Sequence, residues 1–574
     1  MLLDALLLGV IGGLSAQVFL WLLRLSTHLF LGLIAGYVEP GLASEGDTLH
    51  QVIGPHGLWL IPVATTLGGL IAGFLVYTWA PEAEGHGTDT AVKAVHWTGG
   101  AIRARVAPLK MIASAITIGS GGSAGREGPT ALISAGIGSM YATFQHRSDS
   151  ERRLLVLMGM AAGLAAIFRS PIGTALFAVE VLYGGVEFEA EALLYCMLAA
   201  IVAYGVNGAF SGWQPLFQVS PLTSFTGLSD LGWYVALGVA SGIVGTILPE
   251  VFYRVRDLFL DLRVPTVMKP AIGGLLVGLI AMALPQVLGG GYGWIQDAID
   301  ERLALKLLVI LVVAKIVALS LTVSSGGSGG VFAPSLYVGA MLGGIFAALS
   351  HQPHAGMVVI GMGAVFGAAA RVPLATLIMV SEMTGGYALL VPAALAVTLS
   401  FLVQLRLSKF TKYDSLYEGQ VVGRIDSPAH RAEHIELALQ LLDTGKVALP
   451  PDVSHLHLAA LLQSGMALDL PGGLQMTAGA LRPDSPWVGK SIESAGVNKS
   501  IPNAEITGVL RGTSVIYPHP QTVLEPGDRL LIIAPQSAQS TLAENLASPS
   551  AAAQRAGSEE QQAGAEKVKT EEPV

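Results

Sequence analysis

Two stretches of this chain are imperfect copies of each other, and each breaks an apolar run where a continuous helix would be expected. Residues 118–138 read IGSGGSAGREGPTALISAGIG and residues 323–343 read VSSGGSGGVFAPSLYVGAMLG. At an offset of 205 they match Ser120 to Ser325, Gly121 to Gly326, Gly122 to Gly327, Ser123 to Ser328, Gly125 to Gly330, Pro129 to Pro334 and Gly138 to Gly343. Each copy sets a Gly/Ser-rich break before a Pro that can open a helix, so free backbone N–H groups and a positive dipole end face whatever the break surrounds. In apolar surroundings this is the pattern of a buried anion site.

The rest of the chain supplies those surroundings. Of 574 residues, 52% are hydrophobic and only 13% charged, against about a quarter charged in soluble domains. The chain therefore reads as a polytopic membrane protein in contact with a lipid bilayer. Its 70 glycines are scattered through apolar runs, which suits close helix packing and unwound helices. The net charge of −9 arises largely in the C-terminal third and gives no support to nucleic-acid binding. Cys196 is the single cysteine, so an internal disulfide and a Cys-based metal site are excluded and a buried structural thiol is expected. The run Leu2 to Leu25 has no basic start, carries Asp4 and is long enough to span; it reads as a first span rather than a signal peptide.

Apolar runs recur at 58–79, 107–118, 154–168, 190–206, 233–248, 271–284, 303–323, 336–349, 357–370 and 389–405, several shorter than the ~20 residues of a straight crossing. A second duplicated block follows the first. GMAAGLAAIFRSPIGTALFAVE from Gly159 lies over GMGAVFGAAARVPLATLIMVSE from Gly361 at an offset of 202, pairing Arg169 with Arg371, Pro171 with Pro373, Thr174 with Thr376 and Glu180 with Glu382; Lys110 and Lys315 also pair. Two blocks in one order make an internal repeat, with halves at about 1–210 and 230–405. The pattern leaves open whether the halves are parallel or inverted.

Beyond Leu405 the character changes. Arg406, Lys409 and Lys412 flank the last run, which by the positive-inside rule places the C-terminal part in the cytoplasm. We read residues 1–419 as a membrane domain, 420–473 as a linker carrying an amphipathic helix in AEHIELALQLLDTG, 474–546 as a β-rich unit and 547–574 as a disordered tail rich in Ala, Ser, Gly, Gln and Glu. Strands are expected in AEITGVLR and DRLLIIAP, with turns at Arg511-Gly512 and Pro526-Gly527-Asp528.

In the first copy, GREGP at Gly125 to Pro129 sets Glu127 beside the anion site. A carboxylate in apolar surroundings must be neutralised, paired or hydrogen-bonded. Pairing with Arg126 is one reading; competition with a permeating anion for the same N–H groups, and hence gating, is the one we favour.

GREGP, then GGVFAPSL at Gly329 to Leu336, then Tyr417 in DSLYEG resemble, in order and spacing, the CLC family of chloride channels and proton/chloride antiporters, over roughly residues 1–419. The resemblance implies an α-helical inverted repeat of tilted, broken helices, a homodimer with one anion pathway per subunit, and a multi-pass location in a prokaryotic inner or plasma membrane. It implies Glu127 as gate, a chloride cradle from Gly125, Arg126, Glu127 and Gly128 in one copy and Gly330, Val331, Phe332 and Ala333 in the other, and a Tyr417 hydroxyl donating from the inner side. Chloride is then the transported ligand, and no cofactor is implied.

Two departures from the family pattern bear on mechanism. Where the family commonly has GSGIP, this chain has GHGTD at Gly85 to Asp89, with His86 at the anion-coordinating Ser. Neutral imidazole can donate one hydrogen bond and imidazolium adds charge, so anion affinity becomes sensitive to pH if the ring faces the site. The inner proton-transfer Glu of many antiporters falls at Val181, which cannot titrate; Glu180 is a possible substitute, although its counterpart Glu382 suggests a shared structural role. The expected function is therefore gated passive chloride conduction, with proton/chloride antiport as the alternative and a transport-inactive sensor as a third reading.

The C-terminal unit has its own resemblance. SPWVGKSIESAG, ITGVLRG and TVLEPGDRLLII look like the C-terminal regulatory module of RCK-type potassium-transport proteins, a class that implies a small α/β domain and a nucleotide or cyclic dinucleotide as regulatory ligand. The Gly-Asp of LEPGD marks a turn into a strand and reads as structural. His455 and His457 lack nearby partners in ligand spacing, so no metal site is expected. No catalytic motif is present, so an enzyme is not expected.

Overall fold

The structure is a computed structural model that describes residues 1–219, 228–350, 352–423, 427–429 and most of 468–547. Two compact units separate at Arg424/Ile425. The linker helix expected in AEHIELALQLLDTG, His455, His457 and residues 548–574 lie outside the described residues.

Among the described residues the membrane unit has eight α-helices in each half. In the first they are α1 (Leu2–Thr27, continued to Ala35), α2 (Ile61–Trp79), α3 (Thr88–Trp97), α4 (Val106–Gly119), α5 (Glu127–Phe144), α6 (Asp149–Phe168), α7 (Pro171–Glu180) and α8 (Ala190–Ser211). The second half repeats them in order as α9 (Leu228–Asp261), α10 (Lys269–Ala281), α11 (Tyr292–Ile299), α12 (Leu305–Val323), α13 (Phe332–Ser350), α14 (His354–Ala369), α15 (Pro373–Thr384) and α16 (Leu390–Leu407). Each helix corresponds to the one eight places later, and the pairings α1 with α8 and α5 with α6 recur as α9 with α16 and α13 with α14. Among the described residues seven helices are long and apolar enough to cross a bilayer, while others such as α7 and α14 are too short to do so straight. That is the broken-helix pattern of a buried transport site.

The two halves run in opposite senses where they meet. Gly125 and Gly330 form an antiparallel bridge, each N–H donating to the other's carbonyl at 2.7 and 2.6 Å. Equivalent residues paired antiparallel are related by a local twofold axis between the halves. The breaks themselves follow one geometry: Gly121 and Gly326 both have φ of 100°, a region in which a Cβ is strained. Arg169 and Arg371, at the ends of α6 and α14, likewise share a left-handed backbone at 54° and 56°.

A further duplicated block, unrecognised in the sequence, precedes α3 and α11. Lys110 donates to the carbonyls of Ala83 and Gly85 at 3.0 and 2.6 Å, and Lys315 to those of Val287 and Gly289 at 2.9 and 2.8 Å. Gly85 and Gly87, then Gly289 and Gly291, take positive φ in both loops. Each buried ammonium thus satisfies the carbonyls that a broken helix leaves unpaired. Cys196 is buried within α8, as a structural thiol should be.

Among its described residues the second unit holds a six-stranded antiparallel sheet. Its strands are β3 (Leu468–Leu470), β4 (Leu474–Leu481), β5 (Glu505–Arg511), β6 (Ser514–Ile516), β7 (Arg529–Pro535) and β8 (Leu546–Ala547), in the order β3-β4-β7-β5-β6 with β8 on β4. The membrane unit's small two-stranded sheet provides β1 (Tyr37–Val38) and β2 (Val52–Ile53). The sheet begins earlier than the expected boundary at 474, because Leu468–Leu470 fold back on β4 with Leu470 opposite Leu474. Leu530, Ile532 and Ala534 alternate into one core with Trp487, Ile506 and Leu524.

Candidate functional site

The facing starts of α5 and α13 build the site. Both helices open inside buried sequence, leaving first-turn N–H groups without intrahelical partners and both positive dipole ends directed at one place. Glu127, fully buried as the first residue of α5, fills that place: the Ala333 N–H of α13 donates to its Oε2 at 3.3 Å. Its Oε1 has no hydrogen-bond partner. An acidic side chain is thus held where an anion would bind, by the same kind of group that would bind it.

Glycine is required for this approach. A Cβ at Gly128 would collide with the His86 carbonyl and lie 3.0 Å from the Gly330 Cα, and one at Gly125 would strike the Glu127 carboxylate and lie 3.0 Å from the Ala333 nitrogen. Gly125 and Ala333, and Gly128 and Gly330, therefore approach one another closely. Arg126 differs. Its side chain is turned to the loop between α1 and α2, where both terminal nitrogens donate to Glu45, and its Nε stops 4.0 Å short of Glu127. The simple Arg126–Glu127 pair considered from sequence gives way to an Arg126–Glu45 pair, because only Glu45 meets the guanidinium with both oxygens.

In the same unit, Phe332 packs on Phe168 and Phe366, at ring-centroid distances of 4.4 and 3.7 Å, and Phe177 connects this cluster to Tyr417. Tyr417 is buried and its hydroxyl is hydrogen-bonded to Thr88. The His86 ring lies 5.4 Å from the Tyr417 ring and 6.1 Å from Phe252; it is buried, and its Nδ1 has no partner. His86 and Thr88 thus both lie beside Tyr417. Thr88 was missed in the sequence; its signal was its place as the first residue of α3, directly after Gly87. Asp89 follows, accepting from the Gly419 N–H at 2.5 Å and pairing with Lys93 at 2.7 Å, which fixes the loop carrying Tyr417 against α3.

Val181 is fully buried at the end of α7. Glu180 beside it is engaged elsewhere: it accepts from the Leu374 and Ala375 N–H groups at 3.1 and 2.7 Å, at the start of α15. Glu382 returns the same contact to the start of α7, accepting from Ile172 and Gly173 N–H at 3.2 and 2.8 Å and from the Ser170 hydroxyl at 2.6 Å. The two acids are reciprocal helix caps related by the internal twofold.

In the second unit the LEPGD residues are structural. Asp528 is buried and accepts from Arg511 Nε and Nη2, both at 2.8 Å, and from the Glu525 N–H at 2.8 Å. Gly527 supplies the positive φ of 87° for the turn. Among the described residues no group of His, Cys, Asp and Glu is placed to hold a metal ion.

An inverted repeat of broken helices with a buried carboxylate where two helix starts meet is a CLC-type architecture. Residues 68–405 match the sequence profile described as Voltage gated chloride channel, and residues 480–547 match that of the TrkA-C domain. The chain belongs to the CLC family and carries a C-terminal TrkA-C domain. It is 34% identical over 362 residues to the H(+)/Cl(-) exchange transporter ClcA of Salmonella agona, covering 59% of this chain and 75% of that one. The ClcA protein of Salmonella newport is 33% identical over the same length, with the same coverage. Among solved structures, the fold matches a slow cyanobacterial Cl-/H+ antiporter with a TM-score of 0.63 and 21% identity over 72% of this chain and 96% of that one. A CLC-type fluoride/proton antiporter matches with a TM-score of 0.61 and 23% identity over 73% and 97%. The chain is a multi-pass membrane protein of a family of transport proteins rather than enzymes.

Proposed function

We propose that this chain exchanges chloride for protons across its membrane. This replaces the passive conduction expected from Val181, since the relatives described above are named as exchangers. The reading is carried by Glu127, a titratable group seated on the Ala333 N–H in the cradle. When ionised, Glu127 competes with chloride for the cradle; when protonated, it loses its attraction to the N–H groups and leaves the place to the anion. One side chain thereby links proton and anion occupancy. Gly125, Arg126, Gly128, Gly330, Val331 and Phe332 contribute the cradle backbone, and Tyr417, Thr88 and His86 serve an inner anion position.

Val181 removes the simplest inner proton carrier, so the inner route runs through water or through groups beside the pathway. Passive conduction remains a second reading on that observation alone. Both readings are tested with purified protein in liposomes. An imposed chloride gradient should drive protons uphill, and a reversal potential fixed at the chloride value whatever the pH gradient would overturn exchange.

Three further assignments complete the reading. The chain acts as a homodimer, its C-terminal unit lies in the cytoplasm on the side of Arg406, Lys409 and Lys412, and that unit takes a nucleotide or cyclic dinucleotide that modulates transport.

A further inference from the structure

The loop between α1 and α2 is fastened over the gate by interactions that transport chemistry alone does not require. Within it, β1 and β2 close a short hairpin, and Tyr37 is buried. Glu45 receives Arg126 from α5; the Ser44 carbonyl receives Arg169 at 2.8 Å from the end of α6; and the Glu45 carbonyl receives Arg24 at 3.0 Å from α1. The Ser44 hydroxyl donates to the Leu216 carbonyl at 2.6 Å. Four separate segments thus hold this strap in place.

Side-chain exposure rises from 0% at Glu127 through 7% at Arg126 to 13% at Glu45, so the three charges form a file leading outward from the gate. Arg126 stands in the middle with its face 4.6 Å from the Tyr292 ring centroid. Two buried atoms in this file lack hydrogen bonds, Arg126 Nε and Glu127 Oε1, and they belong to the groups held 4.0 Å apart. A donor and an acceptor of opposite charge, each unsatisfied, are kept just beyond bonding distance. Glu45, which takes both ends of the guanidinium fork, is what holds them apart.

We infer that Glu45 is a positioning residue for the gate: by engaging Arg126 it prevents that guanidinium from closing on the Glu127 carboxylate, and so sets the pH at which the gate releases. The inference rests on the reading of Glu127 as the gate. Other charged groups are arranged consistently. Glu45 is surrounded by Arg126, Arg169, Arg24 and Asp47, while Glu127 is approached by Arg126, Glu45 and Tyr417 and by the Ala333 N–H. Burial alone would raise the Glu45 carboxyl, but Arg126, with Arg169 and Arg24, holds it below the ordinary carboxylate range. Glu45 therefore stays ionised near neutrality, a fixed countercharge rather than a sensor.

The test is the pH profile of chloride transport in liposomes at symmetric pH, with wild type, Glu45→Gln, Glu45→Asp, Glu127→Gln and the double variants. Glu45→Gln frees Arg126 to bond Glu127, so activation should move toward acid by about one pH unit, or about tenfold slower transport at a fixed pH on the alkaline limb. Glu45→Asp should recover most of the shift. In the Glu127→Gln background, where nothing titrates at the gate, Glu45→Gln should have no effect on the profile. An unshifted Glu45→Gln profile, or the same loss in both backgrounds with a monodisperse protein, overturns the inference. If wild type and Glu127→Gln have identical profiles, the gate reading fails first.

Discussion

Replacing Glu180 with Gln separates a proton carrier from a helix cap at the one acid adjoining the position where many antiporters have their inner carboxylate. The cap accepts two N–H groups from the start of α15, at 3.1 and 2.7 Å, in a nearly fully buried setting. A hydrogen bond to a charged group contributes about 1.5–3 kcal/mol and a neutral one about 0.5–1.5 kcal/mol. Gln keeps one acceptor oxygen, so one bond weakens by about 1 kcal/mol and the other is lost at a cost of about 1–2 kcal/mol. The expected destabilisation is roughly 2–3 kcal/mol. Glu382→Gln should have a comparable cost, because it removes the same charge from the start of α7, where three donors converge. Thermal unfolding in detergent should register both variants a few degrees below wild type. Liposome measurements should find the protons moved per chloride unchanged in each. If Glu180→Gln stops proton movement while chloride still flows, and Glu382→Gln does not, the capping argument is wrong and Glu180 is a carrier.

Three other outcomes are expected. Glu127→Gln, which imitates the protonated gate, should flatten the pH dependence of chloride transport and reduce proton movement at least about tenfold; retained coupling in a flux assay would reassign the gate. His86→Ser substitutes a hydroxyl for the unpartnered imidazole and should change chloride preference over another halide by about 3–10-fold, whereas unchanged selectivity in reversal-potential measurements would remove His86 from the anion path. In the C-terminal unit, burial alone would raise the Asp528 carboxyl, yet Arg511 and the Glu525 N–H hold it below the ordinary range. Its contribution is therefore fully present above about pH 4 and is lost as the pH falls through the lowered folded value. Asp528→Asn should weaken the unit by about 2 kcal/mol, seen as faster hydrogen exchange of β4, β5 and β7 amides in the full-length protein; unaltered exchange would make the turn network dispensable.

The repeat was legible because its elements are short-range. A Gly/Ser break followed by Pro, an Arg-x-Pro helix start and a Glu nine residues after that Pro recur in both halves, and each is a local backbone requirement. The block at Gly85 and Gly289 escaped notice because its match rests on glycine φ angles and on lysines about 25 residues away, with little side-chain identity between the two loops. The strand at Leu468 was hidden by its brevity: three residues carry too little alternation to stand out beside a linker. The correspondence of Glu180 with Glu382 suggested a shared role, but nothing in one dimension indicates that each caps the other's helix.

The sequence by itself determined that this protein is a duplicated membrane fold with two glycine-rich helix starts and an acid at one of them, because composition, helix openings and φ preferences are local. Only the tertiary structure decided that the halves are related by a local twofold, that Glu127 sits on the Ala333 N–H, that Arg126 is drawn away by Glu45, and that His86 and Thr88 lie beside Tyr417. Those are distances between residues separated by tens to hundreds of positions. They are set by how closely glycine lets buried backbones approach and by which countercharge first satisfies a buried ion.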